Sequence, residues 1–265
     1  MPKPRVLILR APGTNCDVET AFAFDQAGAH SERVHVQRLT DNPTIAARYQ
    51  ILCIPGGFSY GDDIAAGRIL AVQLREHLGD VLRQFCEGDS LVLGICNGFQ
   101  VLMRLGILSD DLGAGESAAT LSWNNHGRFE DRWVHLRTAE TPCVFLRDIA
   151  KMYLPIAHAE GKFVTANPAV LVQLREEGRL ALQYATINGS LEVDPNVALP
   201  FPQNPNGAEA NIAGICDATG RIFGLMPHPE RHLDPTHHPQ WTRRCEQPEF
   251  GDGMAIFKNA VTYFA

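Results

Sequence analysis

The sequence has no CxxC pair. Its seven cysteines, Cys16, Cys53, Cys86, Cys96, Cys143, Cys216 and Cys245, are scattered singly and odd in number. That pattern argues against a zinc site or a dithiol redox motif. A chain of 265 residues can also bury a sizeable core without a disulfide scaffold. Long apolar runs are missing: nothing approaches the roughly 18 residues of a membrane span. Met1-Pro2-Lys3-Pro4-Arg5 leads only into the aliphatics Val6 to Leu9, too few for a signal-peptide core of about 7–15. Positive charge is in deficit, with 23 Lys and Arg against 30 Asp and Glu and a formal net charge of −7. That balance argues against nucleic acid or an anionic membrane surface as the main partner. With 45% hydrophobic and 20% charged residues, the composition is that of a globular protein rather than a disordered one. The expectation is a cytoplasmic, reduced protein, in which the open question is whether any of the thiols does chemistry.

What is present is an alternation of short aliphatic runs with amphipathic stretches. Val6–Leu9, Val34–Val36, Ile51–Ile54 and Leu91–Ile95 read as strands. Helical patterns run over Asp17–Ala27, Ile69–Cys86 (Leu70, Leu74, Leu78 and Leu82 on one face) and Gly98–Leu105. Continuous aliphatic strands alternating with helices predict an α/β fold, an open and mostly parallel sheet covered on both faces. From about Thr120 to Ala185 the pattern changes. Arg132–Arg137 and Ala181–Tyr184 carry polar residues at alternate positions, which suits additional antiparallel strands. Ile212–Ile215 and Ile222–Met226 predict a hairpin around Asp217-Ala218-Thr219-Gly220. A last helix is expected over Gly251–Phe264, with loops over 187–207 and 233–247. No internal repeat or linker divides the chain, so one domain over 1–265 is expected.

Gly94-Ile95-Cys96-Asn97-Gly98 stands where a strand meets a helix. It is the cysteine form of the G-x-S-x-G elbow, a sharp turn that exposes a nucleophile at the sheet's edge. The following helix would aim its N-terminal dipole at Cys96 and favour the thiolate. The Asn97 N–H would point toward an attacked carbonyl. A buried structural cysteine between two glycines is the alternative. A thiolate needs a base, and Met226-Pro227-His228-Pro229-Glu230-Arg231 follows a strand, where open sheets place their sites. In extended chain His228 and Glu230 project to one side, so Glu230 could orient the imidazole. A surface turn with incidental charges is the alternative there. Pro55-Gly56-Gly57-Phe58-Ser59-Tyr60-Gly61-Asp62-Asp63 could bring a second N–H to an oxyanion hole. Its spacing fits neither G-x-G-x-x-G nor a P-loop lysine.

These three elements, in this order, resemble the class I, triad-type glutamine amidotransferases. Their wording resembles in particular the glutaminases of phosphoribosylformylglycinamidine synthase. Thr14–Asp17, Asn125–Glu130, Pro155–Gly161 and Asn204–Gly207 fit the same family, so the resemblance covers essentially the whole chain. It implies a class I glutamine amidotransferase fold and a purine-pathway activity, the hydrolysis of glutamine with transfer of ammonia. Cys96 would be the nucleophile, His228 the base and Glu230 its orienter. The N–H groups of Gly57 and Asn97 would form the oxyanion hole. Gln100 and His158 would line the glutamine site. The resemblance further implies a large ATP-dependent synthetase subunit as partner, often with a small accessory subunit, and formylglycinamide ribonucleotide as its substrate. ATP and magnesium would then belong to that partner, and no cofactor to this chain. No metal is expected either: Asp62-Asp63 reads as a solvated turn, and His228, His232 and His237-His238 lack spacings that complete a zinc site.

Overall fold

The structure, a computed structural model, describes residues 3–108, 118–187, 197–244 and 248–265. The first strands, β1 (Arg5–Arg10), β2 (His30–His35), β3 (Ile51–Ile54) and β4 (Leu91–Ile95), are linked by helices α1 (Asp17–Gln26), α2 (Val36–Asp41) and α3 (Arg68–Glu87). Helix α4 (Asn97–Arg104) follows β4 without a break in the chain other than Cys96. Then come β5 (Ala119–Ser122), β6 (Glu130–Thr138), β7 (Lys151–His158), β8 (Lys162–Thr165), α5 (Pro168–Glu176), β9 (Leu182–Tyr184), β10 (Ile212–Cys216), β11 (Ile222–Leu225) and α6 (Met254–Thr262).

One nine-stranded sheet runs in the order β2-β1-β3-β4-β11-β10-β9-β6-β7, and β5 pairs with β8 apart from it. From β2 to β11 the pairings are parallel; from β11 onward they are antiparallel. The division follows the two sequence patterns. β3 and β4 are buried at every residue, as strands covered on both faces must be. β6 alternates in its second half, with Val134 and Leu136 buried between partly exposed neighbours. On α3, Leu70, Leu74, Leu78 and Leu82 are all buried, each stabilising the helix on the sheet by roughly 1.5–3 kcal/mol. The core they join is continuous from β1 to α6, where Phe24 and Phe257 meet edge to face at 4.9 Å.

Some expectations need correction. The second strand ends at His35, and Val36 opens α2, because the His35 ring accepts the N–H of Gln37 and caps a short helix there. The strands β5, β7 and β8 and the helix α5 had no counterpart in the pattern. Pro155 and the polar ends of β7 mask its period, although β7 is an edge strand where proline removes no ladder bond. Residues 233–244 contain two short 3₁₀ turns, Pro235–His237 and Trp241–Arg243. Residues 188–196 and 245–247 of the expected loops, with Cys245, lie outside the described residues.

Candidate active site

Sheet register brings the motifs together. Ile54 is level with Gly94, and Ile95 with Leu225. The loops leaving β3, β4 and β11 therefore emerge side by side at one edge: Pro55–Asp62, Cys96 and Met226–Glu230. Cys96 lies between the last strand residue and the first helical one at φ 50, ψ −104, a left-handed backbone that a non-glycine residue adopts only under constraint. The constraint is visible. The Cys96 N–H donates to the Leu225 carbonyl at 2.8 Å. A Cβ at Gly98 would stand 1.8 Å from the Ile54 carbonyl oxygen, so only glycine lets α4 start this close to β3. The Cys96 thiol is 4% exposed and faces the carbonyl of Ala157, 3.7 Å away.

His228 and Glu230 are both buried, and Nδ1 lies 2.6 Å from Glu230 Oε1. The pairing is the expected one, but the backbone that makes it is not extended throughout. His228 is extended, at φ −103 and ψ 90, whereas Pro229–Arg231 close a 3₁₀ turn that carries the carboxylate back to the ring. The His228 N–H donates to the Pro155 carbonyl at 2.8 Å. Burial opposes protonation of this imidazole. Glu230, Cys96 and Cys16 together outweigh it, the Glu230 carboxylate contributing most among them, and the imidazolium is held well above the usual histidine range. Nε2 is buried without a hydrogen-bond partner, as is Glu230 Oε2.

Contacts from β7 to His228 and Cys96 carry a further consequence. Along the sheet β7 is separated from β11 by β10, β9 and β6. A flat sheet at about 4.8 Å per strand would put them roughly 19 Å apart. The antiparallel half instead curls over, and the Pro155–His158 end of β7 forms a wall of the site. His158 is in that wall, 3% exposed, with neither ring nitrogen hydrogen-bonded. Gly161 packs on its ring so closely that a Cβ would come within 2.2 Å. Burial, reinforced by His228 and His126, pushes its pKa down to about 3. Against an unfolded value of about 6.5, the folded chain then binds fewer protons than the unfolded one across that window. Stability falls as pH drops through it. The His158 resonances in a nitrogen-15 NMR titration are expected to stay at their neutral positions from about pH 7 to about pH 4; movement near the usual histidine value would contradict the burial argument.

Gln100 was expected to help hold glutamine. Here its amide also bonds within the protein: Nε2 donates to the Glu160 carbonyl at 2.5 Å, and Oε1 accepts from Asn97 Nδ2 at 2.9 Å. Gly57, at φ 145, is bridged to Thr14, so its loop is braided with the segment after β1. Asn125–Glu130 and Asn204–Gly207 line a separate cavity of about 850 Å³. It shares a wall with the site, since Asn206 Nδ2 donates to the Gly161 carbonyl at 2.8 Å.

Cys16 had been given no chemistry. The structure places it against the His228–Glu230 pair: one ligand-type atom from each of the three lies within 4.8 Å of the others, the one such group among the described residues. Its thiol donates to Asn15 Oδ1 at 3.2 Å and receives Arg231 Nη2 at 3.2 Å. Burial pushes the thiol above its ordinary value, with His228 pulling the other way. With Nδ1 of His228 committed to Glu230, the group is organised around a proton rather than arranged as an open metal site. Beyond its place in the Thr14–Asp17 motif, the signal for Cys16 is sheet order, because β1 is parallel to β3 and its C-terminal loop must emerge beside Gly56.

A family profile, the CobB/CobQ-like glutamine amidotransferase domain, matches residues 3–264. The chain belongs to that family. Among curated relatives it is 45% identical to phosphoribosylformylglycinamidine synthase subunit PurQ of Dehalococcoides mccartyi, over 99% of this chain and 98% of that one. It is 41% identical to the subunit of the same name from Methanococcus maripaludis strain C5, over 98% of each. A chain in the solved structure of PurLQS from Thermotoga maritima superposes with a TM-score of 0.71 at 26% identity, over 99% of this chain and 100% of that one. The fold is thus that of a glutamine amidotransferase, with the sheet flanked by helices and the elbow at its edge.

Proposed function

We propose that this chain is the glutaminase subunit of a phosphoribosylformylglycinamidine synthase, with Cys96, His228 and Glu230 as its catalytic triad. The observation that carries the reading is Cys96 on a constrained left-handed turn beside an imidazole whose Nδ1 lies 2.6 Å from a buried carboxylate. The Cys96 sulfur would attack the side-chain amide carbon of glutamine and form a C–S bond. The N–H groups of Asn97 and Gly57 would receive the negative charge on oxygen. One such donor is worth roughly 3–4 kcal/mol. His228 would pass its proton to the departing nitrogen as the C–N bond breaks. It would then take a proton from the water that cleaves the thioester, returning glutamate and free Cys96. His158 would line the glutamine pocket. Gln100 would contribute to it through the turn it holds.

Free ammonia is largely protonated, and so not nucleophilic, at neutral pH. It must pass by a protected route to its acceptor, which requires a docked partner. The relatives, named as subunits of phosphoribosylformylglycinamidine synthase, and the PurLQS structure support a partner subunit; in this reading it is a large ATP-dependent synthetase acting on formylglycinamide ribonucleotide, with a small accessory subunit beside it. ATP and magnesium belong to that partner. Phe58, Trp123 and Phe129 stay 46–59% exposed on loops around the site, which suits a surface that a protein covers. The setting is the cytoplasm; among the described residues no helix is long and apolar enough to cross a membrane. A glutamine-analogue electrophile is expected to label Cys96 alone among the thiols, as read by peptide mass spectrometry with the synthetase present. Labelling spread over Cys86 and other thiols, or protection of Cys96, would count against the assignment.

A further inference from the structure

The mechanism uses the Asn97 N–H and leaves its side chain without a task. That side chain is 3% exposed and is bonded at both ends. Oδ1 accepts the N–H of Ser59 at 3.1 Å, and Nδ2 donates to Asp62 Oδ1 at 3.1 Å and to Gln100 Oε1 at 2.9 Å. Ser59 and Asp62 belong to the loop that carries Gly57. Its backbone is left-handed at Tyr60 (φ 54), Gly61 (φ 73) and Asp62 (φ 53). Left-handed conformations at non-glycine residues persist only where the surroundings over-determine them, so this loop needs anchors.

Its first half has backbone anchors: Cys16 N–H to Gly56 O at 3.2 Å, Phe58 N–H to Gly13 O at 3.0 Å and Tyr60 N–H to Pro12 O at 2.7 Å. Its second half is anchored by side chains. Asp62 Oδ1 also accepts the Gly67 N–H, at 3.1 Å. An apolar residue at 97 would leave the Ser59 N–H buried without an acceptor and Asp62 without one of its donors.

We infer that the Asn97 carboxamide is a positioning residue, a clamp that fixes the oxyanion loop to the elbow helix before substrate arrives. Through Gln100 Nε2 and the Glu160 carbonyl the clamp also reaches the turn after β7. The two oxyanion donors and the His158 wall are thereby held as one unit. The inference rests on the triad reading and adds to it the group that pre-organises the hole. Pre-organisation of donors matters in the transition state and little in the ground state.

The test is glutamine hydrolysis by the complex with the synthetase subunit. Asn97→Leu keeps the N–H and the size of the side chain but removes the clamp. It is expected to lower kcat by about 10- to 100-fold with KM within about twofold. Alkylation of Cys96 by iodoacetamide should proceed as in the parent protein, showing an intact elbow. Asp62→Leu should lower kcat in the same direction. Asp62→Asn, which can still accept from Asn97 and Gly67, should recover most of that loss. The Asn97→Leu/Asp62→Leu double variant should be little worse than Asn97→Leu, because both remove one tether. If Asn97→Leu does not fold, the Asp62→Leu and Asp62→Asn pair decides. Unchanged kcat, a loss confined to KM, failure of Asp62→Asn to recover, or multiplying effects in the double variant would overturn the clamp. Full activity of Asn97→Leu beside an inactive Cys96→Ala removes the clamp alone. Hydrolysis that survives Cys96→Ala removes the triad reading and the clamp together.

Discussion

Replacing Cys96 by alanine is expected to abolish glutamine-dependent synthesis by the assembled enzyme while synthesis from added ammonia continues. The side chain supplies the only protein atom in the proposed mechanism that bonds to substrate carbon. Nothing nearby can replace it: Cys16 is pressed between Arg231 and the His228 ring, and Cys53 is fully buried within β3. Loss of a nucleophile from a triad lowers turnover by roughly 10⁴-fold or more, about 5 kcal/mol of barrier at 1.36 kcal/mol per tenfold change. Ammonia added in excess bypasses the glutaminase, so the partner's chemistry reports that the complex still forms. Parallel rate measurements with glutamine and with ammonium salts check both halves. Equal loss of the two activities would point to misassembly rather than missing chemistry. Retained glutamine-dependent rate would sink the assignment of Cys96.

Much of this arrangement was legible before any coordinates. The aliphatic runs of β1, β3 and β4 and the leucine face of α3 are local signals, and they place the elbow and the Gly56-Gly57 loop at one sheet edge. What was not legible depends on how distant strands close on one another. The pattern of β7 says nothing of its return to the site, which comes from the curl of the antiparallel half and puts the Pro155 and Ala157 carbonyls against His228 and Cys96. Cys16 is similar: its neighbours in sequence are a turn and a helix start, and only sheet order sets it beside His228. The His228–Glu230 pair could be read from spacing, yet the 3₁₀ turn at Pro229–Arg231 supplies the contact that an extended chain was expected to make. Gln100, one helical turn from Cys96, is a substrate contact by family resemblance. Its amide also makes bonds within the protein, to Asn97 and to the Glu160 carbonyl, a role visible only once those residues are beside it.

Replacing Glu230 by glutamine should produce the second large effect, and one with a sign. Opposed influences set the proton affinity of His228: burial favours the neutral ring, while the Glu230 carboxylate at 2.6 Å, joined by Cys96 and Cys16, favours the charged one. In the parent protein the three together prevail, with the carboxylate the largest of them. Glutamine keeps an oxygen that can accept the Nδ1 proton but brings no charge, so burial is opposed only by Cys96 and Cys16 and the ring gives up its proton at lower pH. The acid that protonates departing ammonia is then scarce at neutral pH, and the thiolate loses its neighbouring cation. An amide in place of the orienting carboxylate of a triad lowers kcat by about 10⁴-fold, and loss of that carboxylate in a second system by a similar factor. A fall of roughly 10³- to 10⁴-fold is therefore expected here. The alkaline limb of the kcat/KM profile, which follows the loss of the imidazolium proton in the free enzyme, should move to lower pH. Glu230→Ala, which removes both charge and acceptor, should be worse than Glu230→Gln and shift the limb in the same direction. A Glu230→Gln enzyme whose alkaline limb stays where the parent's lies would show that some other group keeps the imidazole charged. Glu230 would then be left as a prop for the ring rather than the source of its charge.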